Sequence, residues 1–220
     1  MVASVVATAS SIALRSVRYS NEPTHVKGRA KFFFATRVDR DVVRHVERLE
    51  RIGIMRVVLG HGASGNAASM KPYVVGFKRR GIDAIAIDLP RGGAEKAVPV
   101  FIKASGRGHE VVGGGQSFGG RVASMASIEA DFGGLILFSY PLHLPGHTDE
   151  LRTAHFRSIR CPTLFLSGDR DPRARIDLLK TAMKLIPNAR LEVFPGQGHG
   201  LLPVLDQALD VAADFLHSIK

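Results

Sequence analysis

Eight residues constrain this chain more than any others. From Gly113 to Gly120 it sets five glycines around one serine, in the order Gly-Gly-Gly-Gln-Ser-Phe-Gly-Gly. A strand-like run, Glu110–Gly114, leads in, and a helix-like run, Gly119–Ala130, leads out. A serine between strand and helix sits on a sharp turn, where the two elements approach too closely for ordinary side chains. Gly115 and Gly119 flank Ser117 in the pattern G-x-S-x-G.

From residue 56 onward, short apolar runs alternate with helical periodicity. Arg56–Gly60, Ile82–Ile87, Glu110–Gly114, Leu135–Ser139, Thr163–Ser167 and Leu191–Phe194 read as strands. Asn66–Arg80, Ala94–Ala104, Gly119–Ala130, Ile176–Ile186 and Val204–Ile219 read as helices; the first carries Met70, Val74 and Phe77 at helical spacing. Strands that are apolar throughout are buried on both faces. The expected fold class is therefore α/β: one doubly wound, mostly parallel sheet with helices on both sides. The expected domain covers 53–220, behind a divergent or poorly ordered region at 1–52. Within that region Lys31–Phe34 reads as a strand and Asp39–Arg51 as a helix.

In this arrangement four loops meet at the C-terminal edge of the sheet, where open α/β sheets bind ligands. Ser117 is the candidate nucleophile. His61-Gly62-Ala63 follows the first strand, so the backbone N–H groups of Ala63 and Phe118 are candidates for an oxyanion hole. Gly168-Asp169-Arg170-Asp171-Pro172 offers two acids; Asp171 is preferred because it lies deeper in the loop, while Asp169 suits a turn cap. Gly196-Gln197-Gly198-His199-Gly200 supplies the base, a histidine among glycines and so poorly suited to a core. The order Ser117, Asp171, His199 is the one such a fold uses. His61 and His143 are pocket candidates, the first also shaping the oxyanion loop. Arg91, Arg121 and Arg173 are readable either as anion-binding groups or as solvated, structural ones.

These residues carry a resemblance. The marks are Leu59-Gly60-His61-Gly62-Ala63, the run Gly114–Ser124, and Ser139-Tyr140-Pro141-Leu142-His143 with Pro145-Gly146 and Leu151-Arg152. The last are Pro162-Thr163-Leu164-Phe165 and Asp169-Arg170-Asp171-Pro172. Over about 56–217 the chain resembles the α/β-hydrolase superfamily in its compact dienelactone-hydrolase-like branch. Within that branch it resembles the testis-expressed and histone-acetyltransferase-complex-subunit-like group. The resemblance implies Ser117 as nucleophile, Asp171 as acid and His199 as base. The N-terminal quarter does not match the pair of antiparallel strands that usually opens the fold. No long insertion between Ser139 and Cys161 would make a large lid, so small soluble ester or acyl substrates are expected. The function expected is a serine hydrolase working through an acyl-serine. The alternative is a non-catalytic binding or interaction scaffold on the same fold.

Composition limits the rivals. The net charge is +10, but residues 1–56 hold eleven Lys or Arg against five Asp or Glu, and no nucleic-acid motif accompanies them. No nucleic-acid partner is expected. No apolar run is long enough to span a bilayer, so no stable membrane insertion is expected. No nucleotide fingerprint or metal-ligand spacing is present, and no cofactor or metal is expected. The one cysteine, Cys161, makes no internal disulfide and reads as a small buried side chain. A cytoplasmic location is expected. Residues 1–21 lack acids and also fit an organellar presequence, or a disordered or misannotated start.

Overall fold

The computed structural model describes residues 55–219, so the expectations for 1–52 and for import through 1–21 lie outside the described residues. Six strands form one sheet: β1 (Arg56–Gly60), β2 (Ala84–Ile87), β3 (Val111–Gln116), β4 (Gly134–Phe138), β5 (Thr163–Gly168) and β6 (Ala189–Phe194). Every pairing is parallel, in the order β2-β1-β3-β4-β5-β6. Five helices cover it: α1 (Lys71–Arg79), α2 (Ala94–Ser105), α3 (Phe118–Ala130), α4 (Ile176–Ala182) and α5 (Leu205–Ser218).

Each strand divides its side chains between two cores. Val57 and Leu59 pack with Tyr73 and Phe77 of α1 and Leu209 and Phe215 of α5. Val58 faces the other way, toward Phe101 of α2 and Val122 and Ala126 of α3. This two-sided burial is why the strands read as apolar runs rather than alternating ones.

The element boundaries differ in physically intelligible ways. The first helix is shorter than its periodicity predicts, because Asn66 and Ser69 form a capping box around a 3₁₀ turn, Ala67–Met70, before Pro72 opens α1. Likewise, Met183–Leu185 and Leu202–Val204 are 3₁₀ turns flanking shorter α-helices. Between β4 and β5 the chain holds a single 3₁₀ turn, Phe156–Ser158, and no lid.

The sheet order brings the decisive loops together. From β1 the chain crosses to β2 on one side, then returns past β1 to β3 on the other. The ends of β1 and β3 therefore flank the reversal point of the sheet, where open α/β sheets place their ligands.

Candidate active site

The β3–α3 turn is built as the glycines require. Ser117 has φ 52° and ψ −112°, one of three non-glycine residues with positive φ among those described. Its N–H donates to the Phe138 carbonyl at 2.8 Å, and its own carbonyl accepts from Arg121 at 3.1 Å. The turn is thus anchored to β4 and to its own helix. At Gly119 a Cβ would overlap the Gly60 carbonyl, so α3 starts against the end of β1 with no room for a side chain. Gly115, at φ 149°, would meet the same carbonyl.

Two loops bring acid and base to this turn. Nε2 of His199 accepts from the Ser117 hydroxyl at 2.7 Å, and Nδ1 of His199 donates to Asp171 at 2.8 Å (Oδ2) and 3.0 Å (Oδ1). A carboxylate can only accept, so Asp171 holds the Nδ1–H tautomer and leaves Nε2 free to take a proton. The Asp171 side chain is fully buried, and its Oδ1 also accepts from the Arg173 N–H at 2.8 Å. His199 is partly open to solvent.

The second acid of that loop does different work. Oδ1 of Asp169 accepts from the Gly196 N–H at 2.7 Å, and the Arg170 N–H donates to the Gln197 carbonyl at 2.9 Å. Asp169 therefore ties the acid loop to the histidine loop and does not touch the imidazole.

On the oxyanion side, Phe118 opens α3, so its N–H has no intrahelical acceptor. Ala63 sits inside a turn closed by Gly65 N–H to Gly62 O at 2.9 Å. The Gln116 side chain lies against Gly62, where a Cβ would collide with it. Sequence reasoning gave Gln116 no role; its place next to Ser117 is the one signal that marks it.

His61 and His143 are corrected as pocket candidates. His61 is 4% exposed and His143 is 2% exposed. His61 donates from Nδ1 to Gly62 O at 2.7 Å and accepts at Nε2 from Leu89 N–H at 3.0 Å. His143 donates from Nδ1 to Leu144 O at 2.8 Å and accepts at Nε2 from Arg175 N–H at 3.2 Å. Neither ring has a nitrogen left for a ligand. His61 clamps the β1 loop to the β2 loop, assisted by Ala67 N–H to Asp88 at 2.6 Å; His143 clamps the acid loop.

Burial pushes the Cys161 thiol up to about 11, which leaves little thiolate. Among the described residues no group of three or more His, Cys, Asp or Glu is placed to hold a metal ion.

Residues 94–217, more than half of the chain, match the family model described as an alpha/beta hydrolase domain. The chain belongs to the alpha/beta hydrolase family. Among curated relatives of this chain, a non-heme haloperoxidase of Rhodococcus erythropolis is 37% identical over 101 residues, 46% of this chain and 33% of that one. A human candidate protein-lysine deacylase, ABHD14B, is 28% identical over 130 residues, 54% of this chain and 61% of that one. The chain thus spans a third of the first relative and under two thirds of the second.

Solved structures share the alpha/beta hydrolase fold. The Pyrococcus furiosus esterase Pf2001 has a TM-score of 0.61 at 16% identity, covering 75% of this chain and 81% of that one. Thermogutta terrifontis esterase 2, phosphorylated by paraoxon, has a TM-score of 0.58 at 21% identity, covering 75% and 82%.

Proposed function

We propose that the protein is a serine hydrolase that cleaves an ester-like bond of a small soluble substrate through an acyl-serine. One observation carries this reading: the unbroken hydrogen-bonded chain from Asp171 through His199 to Ser117. A scaffold has no need to keep three polar groups from three loops in line.

In this reading His199 takes the Ser117 proton as the hydroxyl attacks the substrate carbonyl. Asp171 stabilises the resulting imidazolium without taking the proton. The N–H groups of Phe118 and Ala63 hold the tetrahedral oxyanion, and one such donor is typically worth about 2.7–4 kcal/mol of barrier. His199 then protonates the leaving group, and water repeats the sequence on the acyl-enzyme. The β4–β5 connection holds a single 3₁₀ turn and no helical lid, which suits small substrates rather than long acyl chains. No described helix is long and apolar enough to cross a membrane. A cytoplasmic location is part of this proposal.

A fluorescent phosphonate probe tests the nucleophile. Stoichiometric labelling that vanishes in Ser117→Ala is the expected result; labelling that persists in that variant overturns it. A p-nitrophenyl ester series then reports the acyl length accepted.

A further inference from the structure

In the hydrolase reading the two oxyanion donors come from different elements. The Phe118 N–H belongs to the start of α3, and the Ala63 N–H to the loop after β1. Such donors serve only when held within about 0.5 Å of the working geometry. Phe118 is fixed by the helix that it opens. The loop from His61 to Ala67 is pinned at both ends to the loop after β2. His61 Nε2 accepts from the Leu89 N–H at 3.0 Å, and the Ala67 N–H donates to Asp88 Oδ1 at 2.6 Å. Between these pins the Gly62 carbonyl accepts from His61 Nδ1 at 2.7 Å and from the Gly65 N–H at 2.9 Å. Gly62 O and the Ala63 N–H are the two sides of one planar trans peptide, so holding the oxygen turns the N–H the other way. These bonds set the direction of the Ala63 N–H. They tie it to the β2 loop, however, and not to the strand that leads into Ser117.

Gln116 makes that tie. It ends β3 directly before Ser117, where β1 and β3 run in register with Gly60 opposite Gly115. Its side chain crosses from β3 to the β1 loop and lies against Gly62. A Cβ on Gly62 would overlap Gln116 Oε1 and come within 3.4 Å of its Cδ. Gly62 is not among the glycines with positive φ, so its backbone does not call for glycine. The space taken by Gln116 does. Gln116 and Gly62 are both half-buried and Ala63 is exposed. The contact therefore lies outside the two apolar cores, where it adds little to folding and acts on loop position.

We propose that Gln116 is a positioning residue for the oxyanion hole: its side chain braces Gly62 and, through the Gly62–Ala63 peptide, sets the distance from the Ala63 N–H to Ser117. The proposal rests on the hydrolase reading above and adds the part that couples the two halves of the hole. Without the brace the loop keeps its pins on the β2 loop but shifts relative to Ser117. The oxyanion then receives a longer, weaker hydrogen bond from Ala63. That bond forms only as charge develops on the carbonyl oxygen, so its loss slows turnover and leaves ground-state binding nearly unchanged.

The test measures hydrolysis of p-nitrophenyl butyrate and inhibition by an alkyl trifluoromethyl ketone. The ketone carbon bonds to Ser117 Oγ, the hydroxyl proton passes to His199, and the oxygen becomes an oxyanion in the hole. Losing a whole donor costs about 10²–10³ in kcat, so loosening one in Gln116→Ala should cost about ten- to hundredfold, with KM changed by no more than about twofold. Ketone affinity should fall in step with kcat/KM. Gln116→Met restores the length of the side chain without its amide and should recover most of the lost rate. Gly62→Ala puts a Cβ where Oε1 lies and should be slow in the same way. The double variant Gly62→Ala, Gln116→Ala should be no slower than Gln116→Ala, because both changes act on one contact. If Gly62→Ala fails to fold, the two Gln116 variants decide. A Gln116→Ala kcat within about threefold of wild type, losses that multiply in the double variant, or Gln116→Met as slow as Gln116→Ala each overturn the brace and leave the hydrolase reading standing. A wild type that neither turns over the ester nor is labelled by the phosphonate overturns both.

Discussion

Asp171 divides its carboxylate between two neighbours, with Oδ2 at 2.8 Å from Nδ1 of His199 and Oδ1 at 2.8 Å from the Arg173 N–H. One backbone bond fixes the acid, and the acid fixes the imidazole. Asp171→Asn would keep the shape but offer an N–H where only an acceptor serves. Its turnover should fall by about 10⁴, as when a triad acid is neutralised in place. Asp169→Asn should instead lower the unfolding midpoint through its bond to Gly196 while changing kcat far less. Purified, folded variants ranked the other way would move the role to Asp169.

Ser117→Ala should abolish ester hydrolysis and leave the thermal midpoint nearly unchanged, since only a hydroxyl is lost. Its backbone at φ 52° is costly for any residue with a Cβ, by about 1–3 kcal/mol. Ser117→Gly should therefore be inactive too, yet melt no lower than Ser117→Ala. Activity within threefold of wild type in either variant would remove Ser117 as nucleophile.

Gly119→Ala tests the packing that makes the elbow possible. The added Cβ would overlap the Gly60 backbone, and neither β1 nor α3 can retreat without opening the core. A loss of at least about 3 kcal/mol is expected in denaturant unfolding, at the upper end for overpacking. A fully stable Gly119→Ala would mean that the two elements do not meet as closely as described.

The histidines should separate cleanly. His199→Ala should eliminate activity, and with it the acid limb of the pH–rate profile, because the base must be neutral to accept the serine proton. His61→Ala leaves the buried Leu89 N–H without its acceptor, a cost of about 1–3 kcal/mol, but it should keep the limb. His143→Ala should behave in the same way through Arg175. A dead His143→Ala beside a normal His199→Ala would refute the triad.

His155 provides a stability readout. Nε2 of this residue meets the Ser124 hydroxyl at 2.8 Å. Burial first, then the charge of Arg121, lowers its pKa from 6.5 to about 4, against a smaller opposing effect of Glu95. Between those two values the unfolded chain binds a proton that the folded chain refuses. Stability should therefore fall as pH drops from 6.5 to about 4, with a slope of up to about 1.4 kcal/mol per pH unit. His155→Gln should flatten that slope in urea midpoints taken across the window. An unchanged slope would show that the ring is not held neutral.

Sequence alone determined the elements and the elbow, because these depend on neighbours along the chain. Apolar runs predict the strands to within two residues at either end, as at Glu110–Gly114 against the observed Val111–Gln116. The glycines around Ser117 announce a turn that only small residues permit. The tertiary structure decided what depends on residues far apart. Asp169 and Asp171 stand two positions apart, and only the packing of the β5 and β6 loops shows which one faces the imidazole. Of the three histidines read as site candidates, two spend both ring nitrogens on backbone groups, Nδ1 on the next residue and Nε2 on one far along the chain, Leu89 for His61 and Arg175 for His143. No local pattern encodes such a pairing. The buried Ser139 hydroxyl, which has no hydrogen-bond partner among the described residues, is likewise invisible in sequence, because an unmet hydrogen bond is a property of everything that surrounds it.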